Sequence, residues 1–150
     1  MVEELYDYAR LKYDVGFYAE AAELLKIYIF LHDEKESILK ALWGKLASEI
    51  LVGNLKVAVL DVDQIKTVIE KSKKPALEQA KLRVWLIHWS LFIFFSAPVG
   101  ILDFFNLFLN DRYLHAVQTL APHLTRYFAI AAILNKNKSK QKKINKKKKI

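Results

Sequence analysis

Two glycines 37 residues apart constrain the fold of this chain more than any other feature. DVGFYAEAAELL and LVGNLKVAVLDV superpose with Gly16 on Gly53 and Ala21 on Ala58. The whole chain has four glycines and three prolines among 150 residues, and apolar residues recur at helical spacing in nearly every segment. A glycine so placed closes a helix by taking a left-handed conformation that other residues reach only at a cost. The first helix therefore carries Leu5, Tyr8, Ala9 and Lys12 on one side and stops near Gly16. The second runs from about Tyr18 to Phe30 with Ala21, Ala22, Leu25 and Tyr28 or Ile29 inward. After the polar connector HDEKES, Ser37 is placed to cap a third helix through Leu51, which Gly53 ends. A fourth spans roughly Leu55 to Lys71, followed by the linker KSKKP.

Helix, Gly, then a helix with a small residue five positions on is the pattern of a tetratricopeptide-type hairpin, whose helices cross closely at the small residue. Ala9, Gly16, Tyr18 and Ala21 fit it. In the second copy Leu46 and Leu55 stand at the small and aromatic positions. The fold class expected is all-α, helical hairpins stacked as a right-handed solenoid, at about residues 3–30, 37–71, 77–109 and 113–134. Residues 1–134 would form the helical-repeat domain. A plain antiparallel bundle makes similar burial predictions.

The segment RVWLIHWSLFIFFSAPVGILDFFNLFL (83–109) raises the question of a membrane span. A span is continuous, whereas Pro98 and Gly100 interrupt the only window long enough. The uncharged run before that break, Val84 to Ala97, is 14 residues, in the range of a buried helix. Trp85 and Trp89 are one turn apart and not at two interfaces. The spacing predicts a fifth helix over about Leu77–Phe95, a turn at Ser96–Gly100, and a short helix over Ile101–Leu109. A helix covered on both sides is apolar nearly all round, which suits the fifth. The last segment, Tyr113–Leu134, keeps Leu114, Val117, Leu120 or Ala121, Leu124, Phe128 and Ala131 on one side, with a kink or restart near Ala121 caused by Pro122. Ala9, Gly16, Ala21, Trp43, Gly53, Ala58, Trp85, His88, Trp89 and Phe92 are the expected structural core.

The formal charge of +8 is not spread over the fold. NKNKSKQKKINKKKKI (135–150) holds nine lysines and no acid. Removing them from the 24 basic residues leaves 15 against 16 acids, a net charge of −1 for residues 1–134. A basic face reading a nucleic-acid groove is not indicated. The tail is expected to be disordered. Lys140, Lys142, Lys143, Lys146, Lys147, Lys148 and Lys149 are candidate phosphate contacts with steep salt dependence, a nuclear-localisation-like patch, or a merely solubilising end. There is no cysteine, which removes disulfides, thiol nucleophiles and thiolate metal sites. MVEELYDYARLKYD has the character of neither a secretory signal nor a transit peptide.

No phosphate-binding, zinc-protease or nucleophile-elbow motif occurs. Four histidines lie at 32, 88, 115 and 123. His88, among Trp85, Trp89 and Phe92, reads as a neutral core histidine bonded to an acceptor. Asp111 and His115 share a helix face at a spacing that metal ligands use and that chance supplies often; Pro122 leaves the direction of His123 open. Asp61 and Asp63 point to different sides of a helix and read as a solvated face with Gln64 and Lys66. The sequon Asn137-Lys138-Ser139 is discounted without a secretion signal. These features predict no enzyme, no cofactor, no metal and no small-molecule substrate.

LWGKLASEIL (42–51), WLIHWSLFIFF (85–95) and QTLAPHLTRY (118–127) resemble the E-subunit family of eukaryotic translation initiation factor 3. DYARLKYDVGFYAEAAELL (7–25) and DFFNLFLNDRYLHAVQ (103–118) are similar to the same family in the same order, so the resemblance covers roughly residues 5–136. It implies the middle part of a helical-repeat region that leads into a PCI domain, in a non-catalytic scaffold of a multi-subunit factor. The implied partners are the factor's other subunits, the small ribosomal subunit, the cap-binding machinery and mRNA, in the cytoplasm; the lysine tail by itself would allow a nuclear fraction. A sister PCI assembly, the proteasome lid or signalosome, and an RNA-binding adaptor acting through the tail are the alternatives. The family would continue into further repeats and a winged helix where this chain runs into lysines. A fragment, a truncated gene model and a divergent short form all fit that departure.

Overall fold

The computed structural model describes residues 2–96, 106–134 and 136. The chain divides after Gln79 into two compact units, and each is all-helical over its described residues. The first consists of α1 (Val2–Val15), α2 (Tyr18–Leu31), α3 (Lys35–Val52) and α4 (Leu55–Lys71). Each helix packs against the next, and α1 also touches α3, so consecutive hairpins stack.

The 37-residue repeat is visible in the backbone. Gly16 and Gly53 have φ of 96° and 85°. The Gly16 and Gly53 amides donate to Tyr13 O (3.0 Å) and Ile50 O (3.1 Å), and the Phe17 and Asn54 amides each donate to the carbonyl five residues back, Lys12 O and Glu49 O, at 2.9 Å. Both are Schellman turns, which satisfy the orphan carbonyls of the preceding helix. Phe17 (φ −83°, ψ 62°) and Asn54 (φ −82°, ψ 63°) then start the next helix in the same conformation. Ala21 and Ala58 are both fully buried, where the helices cross closely.

α3 is the centre of this unit. Leu39, Ala41, Leu42, Lys45, Leu46, Ala47, Ser48 and Glu49 are all buried, so most of its middle is covered. Gly44 helps α2 approach it: a Cβ there would stand 3.2 Å from Leu25 Cδ1. Ala9, Leu25, Tyr28 and Ala41 form a cluster to which Leu5, Tyr6, Leu24 and Ile29 add. Leu42, Leu46, Ile65 and Ile69 are at most 1% exposed, and each contributes about 2 kcal/mol by leaving water.

Three expectations for this unit are corrected. Tyr8 is 49% exposed, and Tyr6 packs in its place, its ring 5.3 Å from that of Tyr28. The face of α1 is thus rotated toward Leu5, Tyr6 and Ala9, as contact with both α2 and α3 requires. Ser37 does not cap α3. The helix begins at Lys35, and the Ser37 hydroxyl donates to the Glu34 carboxylate at 2.6 Å. Asp61 is not solvated but buried at 2% exposure.

The second unit contains most of α5 (Ala76–Phe94), α6 (Asp111–Leu120), a 3-10 turn at Pro122–Leu124 and a helix over residues 125–134. α5 stops before Pro98, as expected; the turn residues 97–100 and residues 101–105 of the expected short helix lie outside the described residues, and 106–108 are helical. The Asn110 side chain caps α6 by accepting from the Arg112 amide at 3.2 Å. Pro122, which lacks an amide hydrogen, ends α6 and opens the 3-10 turn, with Ala121 at φ −146° as the break. Ala121 is buried and Leu120 is exposed, which decides between the two. Val84, Leu86, Ile87, Ile93 and Phe94 of α5 are buried, as are Phe108, Tyr113, Val117 and Leu124. Phe108 stacks on Phe128 with centroids 4.5 Å apart. Among the described residues no helix is long and apolar enough to cross a membrane.

Candidate interaction surface and buried charge network

Because Lys45 and Glu49 of α3 are buried, their charges must find partners inside the protein. Lys45 Nζ donates to both carboxylate oxygens of Asp61 on α4, at 2.7 Å each. It also lies 3.6 Å from Glu49 Oε1, one turn along α3. The side chains of Lys45, Glu49 and Asp61 are 8%, 8% and 3% exposed. Burial pushes the Asp61 carboxyl above its ordinary value, Lys45 pulls it back, and the Glu49 charge pushes it up again. Two carboxylates share one ammonium, and desolvation outweighs the attraction.

The network forms part of the lining of a groove of about 550 Å³ over α2, α3 and α4. Its apolar lining is Ile29, Phe30, Val57 and Leu60. Phe30 is 88% exposed, and Leu60, Ile27 and Leu31 are more than 45% exposed. Ile27 and Leu31 lie outside the groove lining; Phe30 and Leu60, with the half-buried Ile29 and Val57, give the groove an apolar border, a feature that marks a candidate protein-binding surface.

Elsewhere the expected candidates are not brought together. His88 carries a hydrogen bond between Nδ1 and the Val84 carbonyl at 3.0 Å. Its Nε2 lies 3.4 Å from His123 Nε2. Asp111 and His115 are exposed, and no group of three or more metal-ligating side chains gathers among the described residues. Of the expected core, Ala9, Ala21 and Ala58 are fully buried; Trp43, His88 and Trp89 are half-buried, and Gly16 and Gly53 lie exposed in their turns. Trp85 and Phe92 are 52% and 61% exposed, a correction. From Val84 onward α5 is apolar nearly all round, so spacing alone does not distinguish its covered side from its open one. Trp85 packs edge-on against Trp89 at 6.2 Å, and Trp89 meets Phe92 at 6.0 Å, along the uncovered side. The tail lysines Lys140–Lys149 lie outside the described residues. Sequence reasoning missed Lys45 and Glu49, although the signal was there: an i,i+4 pair of opposite charge in a helix apolar on its other sides, with Asp61 inside the α4 stripe Ala58, Val62, Ile65, Ile69.

No protein-family model matches the chain. Curated proteins do. A 143-residue alignment covering 95% of the chain is 45% identical to the E subunit of eukaryotic translation initiation factor 3 from Arabidopsis thaliana, over 32% of that protein. The corresponding E subunits of Dictyostelium discoideum and Emericella nidulans are 39% and 41% identical over 92% and 93% of the chain. The chain spans about a third of the length of these relatives, 27% to 32%. The resemblance that LWGKLASEIL and WLIHWSLFIFF carry thus extends along nearly the whole chain, and over that third the chain belongs to the E-subunit family of eukaryotic translation initiation factor 3.

Proposed function

We propose that this chain acts as a non-catalytic scaffold segment of the translation initiation factor 3 assembly, presenting helix faces and a groove to partner subunits. The single observation that carries the reading is identity of 38–45% over 92–95% of the chain to proteins named as the E subunit of that factor. The stacked hairpins support it, since such stacks offer extended binding surfaces. Contact with the small ribosomal subunit, the cap-binding machinery and mRNA, and a cytoplasmic location, are the finer parts of the same proposal. The test is co-purification: the tagged chain mixed with the factor's other core subunits retains at least one of them at about 150 mM salt, where exposed charges are already well screened. Retention of none refutes the scaffold role.

A second reading, RNA binding through residues 135–150, rests on nine lysines without an acid. Deleting these residues then removes salt-sensitive binding to a single-stranded RNA; unchanged binding refutes it.

A further inference from the structure

We propose that the groove over α2, α3 and α4 is a receptor for a cationic side chain, an arginine or lysine carried on an apolar segment of a partner protein. The inference deepens the scaffold reading, on which it rests for the existence of a partner. Its basis is an unbalanced buried charge. Five charged residues line the groove, Glu23, Lys26, Lys45, Glu49 and Asp61, two cationic and three anionic. Glu23 faces Lys26 at 3.5 Å. Lys45 is committed to Asp61 by two bonds of 2.7 Å. Glu49 remains, its side chain 92% buried by the 8% left exposed, with Lys45 Nζ at 3.6 Å, beyond hydrogen-bond reach.

A carboxylate so placed gains from a second cation that brings its own donors. The surroundings set the chemistry of that cation. Ile29, Val57 and Leu60 line the groove beside Phe30, whose ring is almost entirely in solvent. A guanidinium is weakly hydrated, offers paired donors to a carboxylate and stacks on an aromatic face. A lysine satisfies the charge and can sit over the ring, but it lacks the planar, paired donors of a guanidinium. A phosphate or an acidic peptide would meet net negative charge and is disfavoured.

The experiment uses the full chain, labelled with nitrogen-15, and phenethylguanidinium as a probe that joins an arginine head to an apolar body. Titration shifts the amide signals of Ile29, Phe30, Glu49 and Leu60 with a dissociation constant of about 1–5 mM, typical of so small a ligand. Uncharged 3-phenylpropanamide leaves those signals in place. Glu49→Gln, which keeps the shape and removes the charge, weakens the probe about tenfold. Phe30→Ala, at a surface position, weakens it about threefold and carries the test if Glu49→Gln alters the far-ultraviolet spectrum. Equal binding of the neutral compound, an unchanged constant in both variants, shifts confined to other residues, or a concentration-dependent dimer buried over the same residues overturns the proposal. Loss of co-purification with intact probe binding refutes the scaffold reading alone, and the reverse result refutes only the groove.

Discussion

Removing the two ends of the Lys45–Asp61 pair should have unequal costs, and the inequality follows from the third member. Lys45→Met leaves two carboxylates, Asp61 and Glu49, buried at 3% and 8% side-chain exposure without their shared cation. Truncating one partner of a buried pair costs about 3–5 kcal/mol, and here the orphaned charge is double. Asp61→Leu instead leaves one ammonium and one carboxylate 3.6 Å apart. A small rotation about the Lys45 side chain closes that gap, so the lost pair is largely replaced and the cost falls to about 1 kcal/mol. The double variant Lys45→Met/Asp61→Leu leaves only Glu49, beside the groove, and should be more stable than Lys45→Met alone. A global probe would mix the two units, and a single transition is then undefined. Trp43 is the only tryptophan before Gln79, so its emission in a W85F/W89F background reports the first unit by itself. Urea midpoints give the three differences. Equal costs for Lys45→Met and Asp61→Leu, or a larger cost for Asp61→Leu, would show that Glu49 plays no part and refute the reasoning.

The same network sets a pH dependence. The Asp61 carboxyl lies above 3.8 because of burial, so the folded protein holds its proton more tightly than the unfolded chain. Its contribution to stability therefore declines as pH rises from about 3.8 through the folded value, and levels off above it. The difference between wild-type and Asp61→Asn unfolding curves should slope that way; a slope of opposite sign contradicts it. Gly16→Ala and Gly53→Ala each force a Cβ into φ of 96° or 85° with no neighbour to clash with. Each should cost about 1–2 kcal/mol of backbone strain alone, measured by the same urea assay; a cost near zero refutes the left-handed assignment. Ala58→Leu places three extra carbons in a fully buried crossing and should destabilise the first unit by roughly 2 kcal/mol or more. Leu60→Ala, at 61% exposure, should leave the midpoint within about 0.5 kcal/mol.

The helices and their punctuation were legible because local chemistry decides them. Gly16 and Gly53 do at Schellman turns what their spacing implied, and Pro122 restarts the last segment at Ala121 because proline offers no amide to α6. What was less legible is which side of a helix is covered. Tyr6 and Tyr8 are equally aromatic neighbours of the same stripe. Only the combined contact of α1 with α2 and α3 selects Tyr6. On α5 the difficulty is greater, since Trp85, Leu86, Trp89 and Ile93 carry no amphipathic signal at all. Asp61 was misread for the opposite reason: an acidic side chain is ordinarily a sign of solvent, and its partner is 16 residues away on another helix.

Ala9 and Leu46 occupy equivalent positions of the repeat, and both are fully buried. The first helix of each hairpin therefore meets its neighbours through side chains of very different volume. α1, with Ala9, packs on α2 and touches α3, whereas α3 fills space toward α1, α2 and α4. A leucine at the repeat position suits that role. An apolar residue at position 45 would fill the same volume without fixing how α4 slides along α3. The two 2.7 Å bonds to Asp61 hold one register, because a shift of one turn would bury an unpaired charge on each helix. The buried pair is therefore expected to specify register more than to add stability. The residual negative charge that it leaves at Glu49 is what turns the neighbouring groove from a packing gap into a site with a chemical preference.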